Sequence, residues 1–233
     1  MKKLCFFSFV LFVAAGAGAQ SLDDIGKLME KNKYDVAKVS IEKYISDPKN
    51  AASAEAWYYK GRIYNSLSKD TTVAKQDAYN NYKQTAFDAF KKNQQLDKLD
   101  LRMKSEFFKS YLDLYLGFYD LGAQNFNLKN YTAAYNSFSK SQEMENFILS
   151  KNYLYDEIKL NKLDTSLVMN IAAAALQASD TLNAVINYRR ITDAGITGLD
   201  YERVYEYLAR YYLDKKDNSN AQMILAKAKT AYP

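Results

Sequence analysis

The side chains that most often perform covalent chemistry are almost missing from this 233-residue chain. It contains no His, and its single Cys is Cys5. A Ser-His-Asp or Cys-His nucleophile, general acid–base catalysis by His and a zinc site of Cys and His are therefore excluded. Glu, Asp, Lys and Tyr remain chemically available, but the sequence has no phosphate loop, dinucleotide fingerprint or metalloprotease motif. We expect no catalytic residue, no cofactor and no enzyme activity.

Closely spaced acidic residues are the remaining candidates for a metal site. The pairs Asp97/Asp100 and Asp214/Asp217 both lack the spacing of oxygen ligands that a calcium-binding loop requires. Acidic residues at such positions more often cap helices and form turns. We therefore expect no metal site.

The elements that position the polar side chains are predicted to be helices. Pro and Gly are scarce, with 2 Pro and 8 Gly, and both Pro48 and Pro233 follow periodic apolar stretches where a helix should stop. A hydrophobic content of 48% is sufficient for a continuous core. The net charge of +5 is mild, and no run of Lys and Arg is long enough for a nucleic-acid-binding arm or a lipid-binding patch. The sequence predicts an all-α protein that does not bind nucleic acid.

Residues 1–19 have the pattern of a secretory signal peptide. Lys2 and Lys3 precede an apolar stretch of about twelve residues, and Ala17-Gly18-Ala19 forms a small-x-small cleavage site before Gln20. The apolar stretch is too short for a stable membrane span, although an uncleaved N-terminal anchor is the alternative. Cys5 begins this stretch rather than ending it, so we expect no lipidation there.

The signal pattern also predicts the location of the mature chain. A Lys-Lys start with an Ala-Gln junction resembles a Gram-negative export signal. We expect an exported protein, in the periplasm or associated with the outer membrane, whose helical domain spans residues 20–233. This mature domain would have no disulfide and no transmembrane segment.

A spaced pattern of aromatic and small residues recurs along the chain. Near the C-terminus it comprises Tyr205, Leu208-Ala209 and Tyr212, followed by Ala221 and Leu225. This spacing resembles a tetratricopeptide (TPR) unit, a helix–turn–helix of 34 residues. A second clear copy comprises Phe118, Leu121, Gly122, Ala134 and Phe138, and weaker copies occur in 37–48, 57–90 and 167–191. The resemblance implies a right-handed α-solenoid of about five antiparallel helix pairs.

The resemblance also implies which residues form the core. Gly122 and Ala134 are expected to be small because two helices approach closely there. Asp164 or Thr165 is expected to cap the fourth unit. The expected core positions are Trp57, Gly61, Tyr64, Tyr131, Ala134, Phe138, Leu208, Ala209, Tyr212, Ala221 and Leu225.

In TPR proteins the first helix of each unit lines a concave groove that binds a partner protein or peptide. Residues next to the signature aromatic, and one turn further on, would point into this groove. Their Tyr, Asn and Arg side chains suit an extended peptide, although the Lys/Asn clamp for a C-terminal carboxylate is not reproduced. The groove candidates are Tyr58, Arg62, Asn65, Tyr119, Phe126, Asn127, Met169, Gln177, Arg203, Glu206 and Arg210.

Two further hypotheses stay open at this stage. The 21 Tyr could form a platform for sugar rings, which would make the protein an envelope binder of glycans or small ligands. Tyr also replaces Phe at repeat core positions 44, 64, 82 and 188, which favours a structural use. In addition, the last helix, about 220–232, carries more apolar residues than can face inwards. This excess predicts either a truncated repeat array or cover by another molecule, for instance self-association.

Overall fold

The computed structural model describes residues 21–69, 76–152 and 160–232. The expected signal peptide, Cys5 and Pro233 lie outside the described residues. The described part contains eleven helices and no strand, which confirms the all-α prediction. The helices are α1 (Leu22–Glu30), α2 (Tyr34–Ile45), α3 (Ala54–Leu67), α4 (Gln76–Leu96), α5 (Leu101–Ser105), α6 (Lys109–Asn127), α7 (Tyr131–Ser150), α8 (Thr165–Gln177), α9 (Thr181–Asp193), α10 (Glu202–Asp214) and α11 (Asn218–Ala231), with one 3₁₀ turn at Asn50–Ala52.

The helices pack mainly against their neighbours in the chain. The closest pairs are α3 with α4, α6 with α7, α8 with α9 and α10 with α11, and α1 packs on α2. Further contacts join α2 to α3, α7 to α8 and α9 to α10. The predicted helices at 37–44, 57–64 and 205–212 lie within α2, α3 and α10. The chain is therefore a series of helix pairs with mostly local contacts.

Four of the turns between helices share one geometry. The second residue after α1, α6, α8 and α10 has left-handed backbone, with φ of 54° at Asn32, 63° at Lys129, 63° at Ser179 and 58° at Lys216. In each turn the next N–H donates to the carbonyl five residues earlier, and the next helix starts immediately. These donors are Lys33, Asn130, Asp180 and Asp217, at 2.9, 2.9, 2.8 and 2.9 Å. This is the Schellman arrangement, which satisfies the last carbonyls of the helix.

Aspartate side chains begin three of the later helices. Asp164 accepts a hydrogen bond from the backbone N–H of Leu167 at 3.0 Å, which confirms the predicted cap of α8. Asp180 and Asp217 cap α9 and α11 in the same way, each at 3.1 Å from the N–H three residues on. Each cap satisfies an N–H that the helix itself leaves unpaired.

The buried apolar residues form three clusters along the chain. The central cluster joins α3, α4, α6 and α7 and is rich in aromatic rings such as Phe90, Tyr111 and Phe118. The C-terminal cluster joins α8 to α11 and uses more alanine, and a smaller cluster joins α1, α2 and α3. A methyl group placed on Gly122 would overlap the ring of Phe138, which confirms the close helix approach predicted there.

Most of the predicted core residues are buried, but Leu225 is not. Gly61, Tyr64, Ala134, Phe138, Leu208, Ala209, Tyr212 and Ala221 are buried, while Trp57 and Tyr131 are half-buried. The prediction for Leu225 is wrong, because its side chain is 49% exposed while the adjacent Ile224 is fully buried. Ala221 and Ile224, three residues apart, share the face of α11 that meets α10. Leu225 is the residue after Ile224, so its side chain points away from this face and lies at the outer edge of the helix pair.

Candidate interaction surface

The groove candidates on α6, α8 and α10 lie at or near the surface. Asn127, Gln177, Arg203, Glu206 and Arg210 are exposed, and Tyr119, Phe126 and Met169 are half-buried. The hydroxyl of Tyr119 accepts a hydrogen bond from Asn170 Nδ2 at 2.9 Å, which joins α6 to α8. Arg210 pairs with Glu206 one turn away at 2.6 Å. These helices therefore present amide, guanidinium and aromatic groups to solvent.

The candidates on α3 have a different environment. Tyr58 and Asn65 are each only 4% exposed, so they are buried rather than facing a groove. They are covered from within the inserted residues 101–117, where Glu106, between α5 and α6, lies near Tyr58 and the first half of α6 packs against α3. Asn65 Nδ2 lies 3.4 Å from a carboxylate oxygen of Asp113 on α6. The sequence could not show this cover because the repeat pattern contains no such insertion.

Arg62 belongs to the same covered region. Its Nε lies 3.5 Å from Glu106 Oε2, and its Nη1 donates to the hydroxyl of Tyr58 at 3.5 Å. Burial raises the pKa of Tyr58 to about 12, helped by the nearby Glu106 charge. Burial also raises the pKa of Glu106, while Ser110 and Arg62 act in the opposite direction. Arg62 therefore pairs with a shielded carboxylate, although 42% of its side chain stays exposed.

A second buried carboxylate lies where α7, α8 and α9 meet. Glu145 is 2% exposed and accepts a hydrogen bond from the backbone N–H of Asp164 at 3.2 Å. Asp164 also accepts from the hydroxyl of Tyr115 at 2.6 Å. Burial, together with repulsion by Asp164, raises the pKa of Glu145 to about 7, although that N–H and the charge of Arg190 oppose the rise. No motif in the sequence singles out Glu145, because it stands among other polar residues.

Lys83 on α4 is a third buried ionisable group that the sequence did not single out. It is 2% exposed, and its ammonium group lies against Gly117 of α6. Burial and the neighbouring charge of Lys69 lower its pKa to about 8, despite the nearby carboxylates of Asp113 and Asp120. An amine with such a pKa can act as a base at neutral pH. Its burial, however, keeps it away from a substrate in solution.

Two clefts flank the last helix. One, of about 480 Å³, lies between α9 and α11 and has the Asp193–Lys227 ion pair, at 2.6 Å, in its wall. Its hydroxyl groups on Thr192, Tyr205 and Thr230 donate to backbone carbonyls within the protein. The other, of about 380 Å³, lies between α10 and α11 and is lined by Leu225 and Tyr232, with charged residues at its edge. The hydroxyl groups of Thr192, Tyr205 and Thr230 are therefore engaged within the protein rather than free to fix a small ligand.

No family model matches the chain, and no curated protein matches it. Among residues 21–69, 76–152 and 160–232, no group of three or more acidic, His or Cys side chains could hold a metal ion. No helix in these ranges is both long enough and apolar enough to cross a bilayer.

The arrangement as a whole separates two kinds of polar residue. Glu106, Glu145 and Lys83 are buried between helices, where they affect stability and its pH dependence. The polar and aromatic residues of α6, α8 and α10 remain accessible along successive helices. Only this second set has the exposure that contact with another molecule requires.

Proposed function

We propose that the protein is a TPR-like helical-repeat scaffold, without enzyme activity, that binds a partner protein or an extended peptide along α6, α8 and α10. The observation that carries the proposal is the repeated turn. In four helix pairs, the two helices are joined through a left-handed residue and the same hydrogen bond to the carbonyl five residues earlier. Turns of one geometry give the two helices of each pair a similar arrangement, as expected of a repeated helix–turn–helix unit.

Contacts between first helices support a stacked arrangement. Asn170 of α8 donates to Tyr119 of α6, and Tyr201, the residue before α10, donates to Thr165 of α8 at 2.9 Å. One bond links α6 to α8, and the other links the start of α8 to the start of α10, which supports an arrangement with these three helices in sequence. A partner that lies across them would meet residues from all three helices.

Contacts between second helices run in parallel with those bonds. Lys227 of α11 pairs with Asp193 of α9, and Lys91 of α4 pairs with Glu143 of α7 at 2.9 Å. These ion pairs link successive helix pairs, in addition to the packing of α2 on α3, α7 on α8 and α9 on α10. Contacts that join each pair to the next pair in the chain favour a solenoid over a closed bundle.

The proposed groove is shorter than the sequence predicted. On α3, Tyr58 and Asn65 are buried beneath Glu106 and the start of α6, which leaves α6, α8 and α10 as the main helices of the groove. Exposed Leu116 and Leu213 add apolar area to the amide and guanidinium groups on these helices. Apolar contacts beside Asn, Gln and Arg side chains are suited to an extended peptide, whose backbone needs hydrogen-bond partners. The proposal includes export to the envelope, which rests on the signal pattern of residues 1–19.

Site-specific photo-crosslinking tests the groove. A photoreactive phenylalanine analogue at Gln177, on α8, should crosslink to an envelope protein in cells. The matched control is the same analogue at Ile186, which is 50% exposed on the second helix α9. We also expect Arg203→Ala combined with Arg210→Ala to weaken that complex by roughly tenfold without lowering stability. Crosslinks from position 186 but not from position 177 would place the partner on the opposite side.

A further inference from the structure

The segment between α4 and α6 exposes three large apolar side chains to solvent. Leu99 is 63% exposed, Leu101 is 62% exposed and Phe107 is 70% exposed. All three lie within residues 97–109, which we call the docking loop. This loop overlaps the inserted residues 101–117, and its exposed side chains take no part in the proposed groove.

The backbone of the docking loop holds Phe107 outwards at a conformational cost. Phe107 and Phe108 are consecutive left-handed residues, with φ of 53° and 56°. Bulky side chains rarely adopt this conformation, and such strain is concentrated at functional positions. Phe108 is 6% exposed and anchors the loop in the core together with fully buried Met103. The N–H of Phe108 donates to the carbonyl of Met103 at 2.9 Å.

The acidic residues of the docking loop are engaged within the protein. Asp100 is 3% exposed and accepts a hydrogen bond from Lys151 at 2.5 Å. The Glu106 side chain is 14% exposed and faces Arg62. Asp97 accepts hydrogen bonds from the backbone N–H groups of Leu99 and Leu101, at 3.1 and 2.8 Å.

The basic residues of the docking loop face solvent instead. Lys98, Arg102, Lys104 and Lys109 are all exposed, although Arg102 and Lys109 also pair with Glu55 and Asp113. The sequence alternates acidic and basic residues, yet the surface of the loop is apolar and basic. This sorting of charge is visible only in the folded chain.

We propose that the docking loop binds the surface of an anionic lipid bilayer. Leu99, Leu101 and Phe107 would enter the boundary between headgroups and acyl chains, while the exposed Lys and Arg side chains meet the anionic headgroups. The charge complementarity favours lipid, since a protein partner would have to combine an acidic rim with pockets for three separate apolar tips. Few side chains take part, so the binding is reversible and weakens as salt screens the headgroup charge.

Vesicle co-sedimentation of the purified chain tests this proposal. Vesicles of phosphatidylglycerol and phosphatidylethanolamine should retain the protein, and vesicles of phosphatidylcholine should not. Phe107→Asn should reduce retention by roughly tenfold, because it removes a large apolar side chain from the bilayer boundary. Asn adopts the left-handed conformation readily, so this variant should be at least as stable as the parent. Lys98→Gln combined with Lys104→Gln should remove much of the salt dependence.

Leu199→Asn provides the matched control. Leu199 is 90% exposed but lies between α9 and α10, outside the docking loop, so its loss should not change retention. Equal retention on both kinds of vesicle, or unchanged retention of Phe107→Asn, would overturn the proposal. It would also be overturned if no vesicle retained the parent while Phe107→Asn prevented co-precipitation of an envelope protein. That result would assign the loop to a protein partner.

Discussion

The four C-terminal helices, α8 to α11, and the central helices, α3 to α7, carry the same spaced pattern of aromatic and small residues. Their helix lengths, however, are regular in the first region and irregular in the second. Helices α8 to α11 have 13, 13, 13 and 14 residues. Helices α4, α6 and α7 have 21, 19 and 20 residues, and α5 is inserted between them. In the C-terminal region the predicted groove residues are accessible. In the central region the added length covers Tyr58 and Asn65 on α3, while the candidates on α6 stay at or near the surface.

The two regions differ in which contacts follow from the repeat pattern. Gly122 and Ala209 occupy equivalent positions, and both are buried against the second helix of their pair. Arg62 and Arg210 are also equivalent, but one is set against Glu106 in a shielded cluster and the other pairs with Glu206 at the surface. The pattern thus fixes contacts within a pair. It does not fix what an inserted segment places over that pair.

The largest expected effect comes from enlarging the small residue of each pair. Gly122→Leu should lower the free energy of unfolding by about 3 kcal/mol or more, because the new side chain would enter the space of the buried Phe138 ring. Ala209→Leu should cost less than about half as much, since Ala209 borders the open cleft between α10 and α11. Urea denaturation of both variants measures the difference. Equal losses would show that the two regions are packed equally tightly.

The next effect separates the two equivalent arginines. Arg62→Ala should lower the free energy of unfolding by about 1–3 kcal/mol, because it leaves the shielded Glu106 carboxylate without its cation. Arg210→Ala should change stability by less than about 0.5 kcal/mol, as exposed substitutions usually do. As groove candidates predicted from the sequence, both arginines would be exposed, and neither substitution would be expected to lower stability. Thermal denaturation of the single variants decides, and a parental melting temperature for Arg62→Ala would show that α5 and α6 do not shield Glu106.

Helix positions could be predicted because they depend on local signals. The Asp164 cap, the small residue at Gly122 and the aromatic spacing of α10 are each fixed within a few residues of chain. The environment of Tyr58 and Asn65 could not be predicted, since it depends on residues about 50 positions later. Whether Ile224 or Leu225 is buried depends on a shift of one position along α11. The spacing of apolar residues in the sequence does not resolve such a shift at the outer edge of a helix pair.

The carboxylates of the two regions also differ in burial and in the direction in which their pKa is shifted. Asp180 and Asp217 cap C-terminal helices at the surface, and hydrogen bonds from Asn183 and Asn220 lower the pKa of each. Glu145, at the border of the central region, is enclosed instead, and its pKa is raised from its ordinary value of 4.5 to about 7. A carboxylate with a lowered pKa favours the folded state when ionised. One with a raised pKa favours it when protonated.

The smallest expected effect is therefore a pH dependence carried by Glu145. Between the two pKa values the folded protein keeps a proton that the unfolded chain has lost, so this group makes the protein less stable as pH rises through that interval. Glu145→Gln keeps an oxygen that can accept from the N–H of Asp164 but cannot ionise. From about pH 5 to about pH 8, the stability of the variant should rise relative to the parent by about 1 kcal/mol or more.

Glu143→Gln on the same helix removes the same charge from the surface, where the Glu143 side chain is 46% exposed. Urea denaturation of all three proteins across this range separates burial from net charge, because only the Glu145 variant should diverge from the parent. Parallel curves for all three would mean that water or a rearranged Arg190 already stabilises the Glu145 carboxylate.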